Sequence, residues 1–239
     1  MKVLISVMAL ILLQMFVCVP AWGHHLWIEP AEDNAWLVVR GLIAERMDEY
    51  DPECVQEIQA YGEQGEELDV ERQDLEDQVR FTASKDLAMA TVWSKWGYRV
   101  NTTKGKKLIT RKEAESKGLK VLSAFYSTQY AKSLFHWNRK ANKPTGLRFE
   151  IIPLQNPLQA EPGTPIEVQV LFDAKPLADA TLYTAQGEEK STDAQGMAQV
   201  EVPREDIALL YAKHRIDVEG DARKDFEVFR TFLTYEVQE

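Results

Sequence analysis

The chain has 239 residues, 45% of them hydrophobic and 28% charged, with 28 basic against 38 acidic side chains and a formal net charge of −10. An acidic balance of that size disfavours nucleic acid and anionic membrane surfaces as partners. The two cysteines, Cys18 and Cys54, exclude a disulfide framework, so the fold must stand on its hydrophobic core.

The first 23 residues carry Lys2 as their only charge, then the apolar run VLISVMALILLQMFVCV and a short end, PAWG, with small residues at Ala21 and Gly23. That three-part layout reads as a secretory signal peptide cleaved after Gly23. The run is barely long enough to span a bilayer and lacks a basic stop-transfer flank, so the mature chain is expected to be soluble and not membrane-spanning. The bacterial periplasm is the expected compartment. Cys18 follows Val17, which argues against a lipid anchor there. Cys54 is then the one mature thiol, read as a small apolar packing residue, with a soft metal ligand or an intermolecular disulfide as the alternatives.

After the leader, period-two alternation predicts strands in HLWIEP, AWLVVRG, EIQAYGEQGEEL, QVRFTAS, MATVWSKWGYRVNT and KVLSAFYSTQYAKSLFHW. Thr110 with Glu113 three residues on forms a capping box, and Lys117-Gly118 closes the single predicted helix. The polar stretch NRKANKPTG, residues 138–146, holds Pro and Gly and predicts a boundary between domains 24–143 and 144–239. Beyond it TPIEVQVLF, AKPLADATLYTA, ALLYAKHRIDV and FEVFRTFLTYEV read as strands, with a turn at Asp193-Ala194-Gln195-Gly196. Strands of this length between regular turns predict a mainly β chain built as two tandem immunoglobulin-like or transthyretin-like sandwiches. Charge is blocked: fourteen acidic residues against three arginines from Glu45 to Arg80, and eleven basic residues against Glu113 and Glu115 from Lys104 to Lys143. Such blocks read as solvated faces that could also face each other.

The residues with the most chemistry stand directly after the leader. If cleavage falls at Gly23, the freed α-amine of His24 and its imidazole Nδ1 can close a six-membered chelate ring on one cation. Amine and imidazole suit Ni(II), Co(II), Cu(II) and Zn(II). His25 offers a competing chelate through the amine, the intervening amide nitrogen and its own ring. Two histidines rarely complete a site, and His136, Glu29, Cys54 and the acidic block are the candidates for a third ligand. His214, inside a predicted strand, reads as structural. Trp93, Trp96 and Tyr98 could form a carbohydrate platform, though aromatics in strands are more often core. ERMDEYDPE lacks the glycine and spacing of an EF-hand loop. No phosphate loop, nucleophile elbow or zinc-protease helix motif is present, so nothing here supports hydrolase chemistry.

Taken together, HHLWIEP after the signal, YDPECVQEIQAYGEQGEEL, GLRFEIIPLQNP, GTPIEVQVLFDAKPLADATLYTAQG, STDAQGMAQVEVP, AKHR and FRTFLTYEV resemble the NikK-like family, a periplasmic component associated with nickel and cobalt uptake. Members usually open on a mature histidine in a His-Asp-Phe-Trp type sequence followed by Pro. His24, Trp27 and Pro30 match, while His25 and Leu26 replace the acidic and aromatic residues. The resemblance implies two sandwiches in tandem, the second like a carboxypeptidase-regulatory domain. It also implies capture of nickel or cobalt, with copper or zinc as further candidates, for delivery to a transporter; the expected partner is an inner-membrane metal transporter or an outer-membrane receptor. Relatives often carry Gly-His after the second strand; here Gly41 is followed by Leu42, which removes a candidate ligand. The expected role is therefore a metal-binding accessory and not an enzyme. A copper oxygenase held by His24 and His136, and an adhesion module without metal, are the competing readings.

Overall fold

The computed structural model describes residues 24–185, 187 and 189–237; the leader expected at residues 1–23 lies outside them. In chain order the elements are β1 (His25–Pro30), β2 (Ala35–Leu42), β3 (Arg46–Met47), β4 (Val55–Tyr61), β5 (Glu67–Leu68), β6 (Val70–Asp74), β7 (Val79–Ala83), β8 (Met89–Thr102), β9 (Gly105–Lys107), helix α1 (Arg111–Ser116) and β10 (Val121–Leu134). They continue with β11 (Phe149–Pro153), β12 (Pro165–Phe172), β13 (Lys175–Pro176), β14 (Thr181–Thr184), β15 (Glu189–Ser191), β16 (Met197–Glu201), β17 (Ile207–Asp217) and β18 (Phe226–Glu236).

These strands form three sheets. The first runs β1-β2-β7-β6 with β3 on β2. The second and largest runs β15-β14-β17-β18-β10-β8-β4-β5 with β9 on β8, and the third runs β11-β12-β13 with β16 on β12. Alternation along the large sheet decides the layers. On β18, Phe232 enters a core with Leu26, Ile28, Val38 and Phe81 of the first sheet, whereas Phe229 and Leu233 enter a core with Ile151, Ile166 and Val168 of the third. On β10 Ala131 takes the first side, and Tyr130 and Leu134 the second. The chain is thus a β-sandwich whose central sheet is covered on both faces. A small third cluster, Val100, Ala114 and Ala124, seats α1, whose capping box forms as the sequence predicts.

The central sheet takes strands from both sides of residue 143. β10 pairs with β8 antiparallel and with β18 in parallel, in unbroken register from Phe125 opposite Phe226 to Leu134 opposite Tyr235. β1, an edge strand, is tied down by side chains from beneath: Ile28 N donates to Ser133 Oγ at 2.9 Å, and Ser133 Oγ lies 2.7 Å from Thr234 Oγ1. The open edge of β1 is therefore given partners from the central sheet, which blunts its tendency to pair with another chain. The turn at Gly196 (φ +70°) requires glycine for a second reason, since a Cβ there would sit 2.7 Å from Val170 O. Among the described residues no ion pair joins the acidic block to the basic block; Asp48, Asp74 and Glu66 pair instead with Arg46, Arg72 and Lys85.

One buried ion pair stitches the layers. Lys132 Nζ on β10 stands 2.5 Å from Glu150 Oε1 on β11, both side chains 1% exposed. The Glu150 carboxylate also accepts from Thr145 N (3.0 Å) and Thr145 Oγ1 (2.8 Å). Burial, the largest influence, pushes the Lys132 ammonium below its ordinary value, and Glu150 opposes it. Removing one member leaves the other charge stranded in the core, which typically costs about 3–5 kcal/mol. Lys132→Met is accordingly expected to lower unfolding stability by about that much in urea titration. The double variant with Glu150→Leu should recover part of it, less what Thr145 loses as an unpaired donor.

Candidate functional site

Where the first sheet stops short, the central sheet is left open as a cleft of about 460 Å³. Trp96, Phe125, Ser127, Gln129 and Arg230 come to it from the central sheet, and His24, Arg40, Tyr50 and Cys54 from the β1–β4 region. β1 delivers His24 to this place: its carbonyl accepts from Gln129 Nε2 at 3.5 Å, and its ring Nε2 lies 2.8 Å from Asp48 Oδ2. Asp48 is fixed in turn by Arg46 Nε at 3.0 Å on Oδ1 and by Arg40 Nη1 at 3.5 Å on Oδ2. A carboxylate only accepts, so Nε2 carries the proton and Nδ1 presents a lone pair. Burial first, then Arg40, lower the His24 pKa against the pull of Asp48. With Nε2 turned to Asp48, Nδ1 is the ring nitrogen left without a protein partner among the described residues.

The other residues singled out in the sequence are dispersed. His25 is a core residue: it is 3% exposed, its Nδ1 accepts from Ile43 N at 3.3 Å, and its ring packs against Tyr211 and Phe232. With one nitrogen engaged and the other enclosed, His25 is not positioned to share a cation with His24. His136 is not brought to His24 either. β1 lies along β10 with His24 at Gln129 and Ile28 at Ser133, and His136 follows beyond Leu134, its amide donating to Ala88 O. Leu134 is already roughly 16 Å from Gln129 at about 3.3 Å per strand residue, whereas ligands of one ion stand about 4 Å apart. Glu29 accepts from Trp27 Nε1, and the His214 ring packs at a tilt against Phe172, 4.5 Å between ring centres. Among the described residues no three histidine, cysteine or acidic side chains gather as a metal site.

Cys54 is half-buried on the cleft wall, its thiol pushed up by burial and by Asp51. Trp96 is buried, with Tyr50 edge-on at 5.5 Å and the Arg40 guanidinium 4.5 Å over its ring. Trp93 packs with the opposite core, so the two indoles lie on different faces of the sheet and form no common platform.

Over residues 21–216 the chain matches the family described as a domain of unknown function, DUF4198. The chain belongs to this family. No curated protein and no solved structure matches it. Within the DUF4198 span lie His24, Asp48, Arg40 and Arg99; Arg230, on the last strand, lies beyond it. No helix among the described residues is long and apolar enough to cross a membrane.

Sequence reasoning found His24 and missed Asp48 and the arginines. Arg40, Arg99 and Arg230 are scattered through the chain, and the signal that could have found them is a charged residue at a core-facing position of an apolar strand, as in VFRTF.

The burial of His25 has a consequence for stability. Burial, followed by the charges of His24 and Arg230, lowers its pKa from 6.5 to about 4. Below pH 6.5 the unfolded chain takes up a proton that the folded chain refuses, so stability is full above that pH and falls as pH drops toward 4. The loss is roughly 3 kcal/mol over that window. Urea midpoints measured from pH 7 to 4 should therefore fall less steeply for His25→Gln than for the parent.

Proposed function

We propose that this protein is an exported accessory that binds a first-row transition metal as cargo, nickel or cobalt before copper or zinc, through His24. The observation that carries the reading is the His24 Nε2 to Asp48 contact at 2.8 Å. Metal-bound imidazoles commonly donate their second ring N–H to a carboxylate, which fixes the tautomer and raises ligand basicity. Here that leaves Nδ1 for the metal, and cleavage after Gly23 supplies the amine that completes the chelate. The NikK-like resemblance supports nickel or cobalt, the periplasm as location, and an inner-membrane transporter or outer-membrane receptor as partner. His24 is the one histidine offered to the metal, so the remaining positions fall to water or to a ligand that travels with the ion. The dispersal of His136 gives the copper-oxygenase reading no support, and the opposed faces of Trp93 and Trp96 give none to an adhesion platform. The role is binding, not catalysis.

Calorimetric titration of Ni(II) into protein processed to His24 should show one saturable site. N-acetylation of His24 should abolish it, because the chelating amine becomes an amide and no new amine replaces it. Asp48→Asn should weaken binding by about 10–100-fold, and His136→Ala should leave it unchanged. Equal binding by the processed and N-acetylated forms would contradict the proposal.

A further inference from the structure

The cleft holds more positive charge than the protein itself neutralises. Arg40, Arg99, Lys106 and Arg230 line it against Glu49 and Asp51, with Asp48 answering Arg40 from beside His24, in a chain whose net charge is −10. Among the described residues no carboxylate comes within ion-pair distance of Arg99, Lys106 or Arg230. Arg99 Nη1 donates only to its neighbour's carbonyl, Tyr98 O, at 2.9 Å. Arg230 stands in register with Lys213 across the β17–β18 ladder, so its neighbour on β17 repels it. Two further donors in this wall, Arg40 Nε and Trp96 Nε1, are buried without a partner. Burial lowers the pKa of Arg230 and of Arg99.

Guanidinium groups remain charged at any ordinary pH, and holding several of them close together away from water is costly unless an anion answers them. Their planar forks match the two oxygens of a carboxylate or phosphate, which a lysine ammonium does not. The cleft volume also lies within the usual range for small-molecule sites, about 300–1,000 Å³.

We propose that this cleft binds a compact, multiply charged oxyanion, a polycarboxylate or a phosphate, clamped between Arg99 and Arg230. The anion site stands without any metal at His24. It also places an anion where a cation bound by His24 would otherwise face Arg40, Arg46 and Lys106.

The test uses the processed chain stripped of metal with EDTA and then dialysed free of it, since EDTA is itself a polycarboxylate, so that the fate of the metal reading does not enter. Citrate and inorganic phosphate are titrated separately at constant ionic strength. At least one should bind saturably at one equivalent, with affinity falling tenfold or more in Arg99→Gln and in Arg230→Gln. Arg223→Gln, an exposed arginine outside the cleft, should leave it unchanged. Citrate alone identifies a carboxylate site, phosphate alone a phosphate site, and both a site that reads charge; each supports the proposal. Because Arg230 is partly enclosed, Arg99→Gln is the deciding variant if Arg230→Gln melts early. Saturable binding of neither anion, or an equal loss in Arg223→Gln, overturns it.

Discussion

The parallel ladder between β10 and β18 is the constraint from which the rest of the molecule follows. It pairs residues about a hundred positions apart, from Phe125 with Phe226 to Leu134 with Tyr235, and makes β10 the middle of a sheet that neither half of the chain builds alone. A strand covered on both faces must have its N–H and C=O groups satisfied by neighbours on both edges, because a buried unpaired backbone group is costly. β8 supplies one edge and β18 the other. Alternate side chains then enter opposite cores, and the first and third sheets have surfaces to cover. Lys132 and Glu150 close this arrangement with a charge pair that is costly to break by halves.

The cleft is a product of the same geometry. β1 lies over β10, tied through Ser133, and that alignment brings His24 to Gln129. Since Gln129 is paired with Arg230 on β18, the ladder that joins the halves also sets a guanidinium beneath the first histidine. The β2 strand contributes Arg40 over Trp96, and Asp48 reaches back to the imidazole. A neutral imidazole oriented by a carboxylate and a group of underused arginines thus share one opening. On the two proposals above, the first would take a transition-metal cation and the second an oxyanion.

Much of the fold was legible in the chain, and for identifiable reasons. Alternation located β1, β2, β8, β12, β17 and β18 within a residue or two and β10 within three, and the Thr110–Glu113 box marked α1, because these signals are local. The stretch FEIIP of β11 was less legible, since all five residues are buried and Glu150, its second residue, resembles a solvent residue. The long parallel pairing had no local signature at all. At the site, the histidines drew attention through their chemistry, yet only the fold separates His24 in the cleft from His25 in the core and from His136 at the far end of β10. The arginines converge from strands distant in sequence, and no spacing rule gathers them.

Metal capture in this cleft requires that the finished protein begin at His24 and that this residue hold the ion. Native mass spectrometry of the protein recovered from periplasmic extract of nickel-supplemented cells measures both at once. The expected species is a chain that begins at His24 and carries one nickel or cobalt ion. A chain beginning ahead of His24, or one beginning at His24 and recovered without metal from such cells, would contradict it.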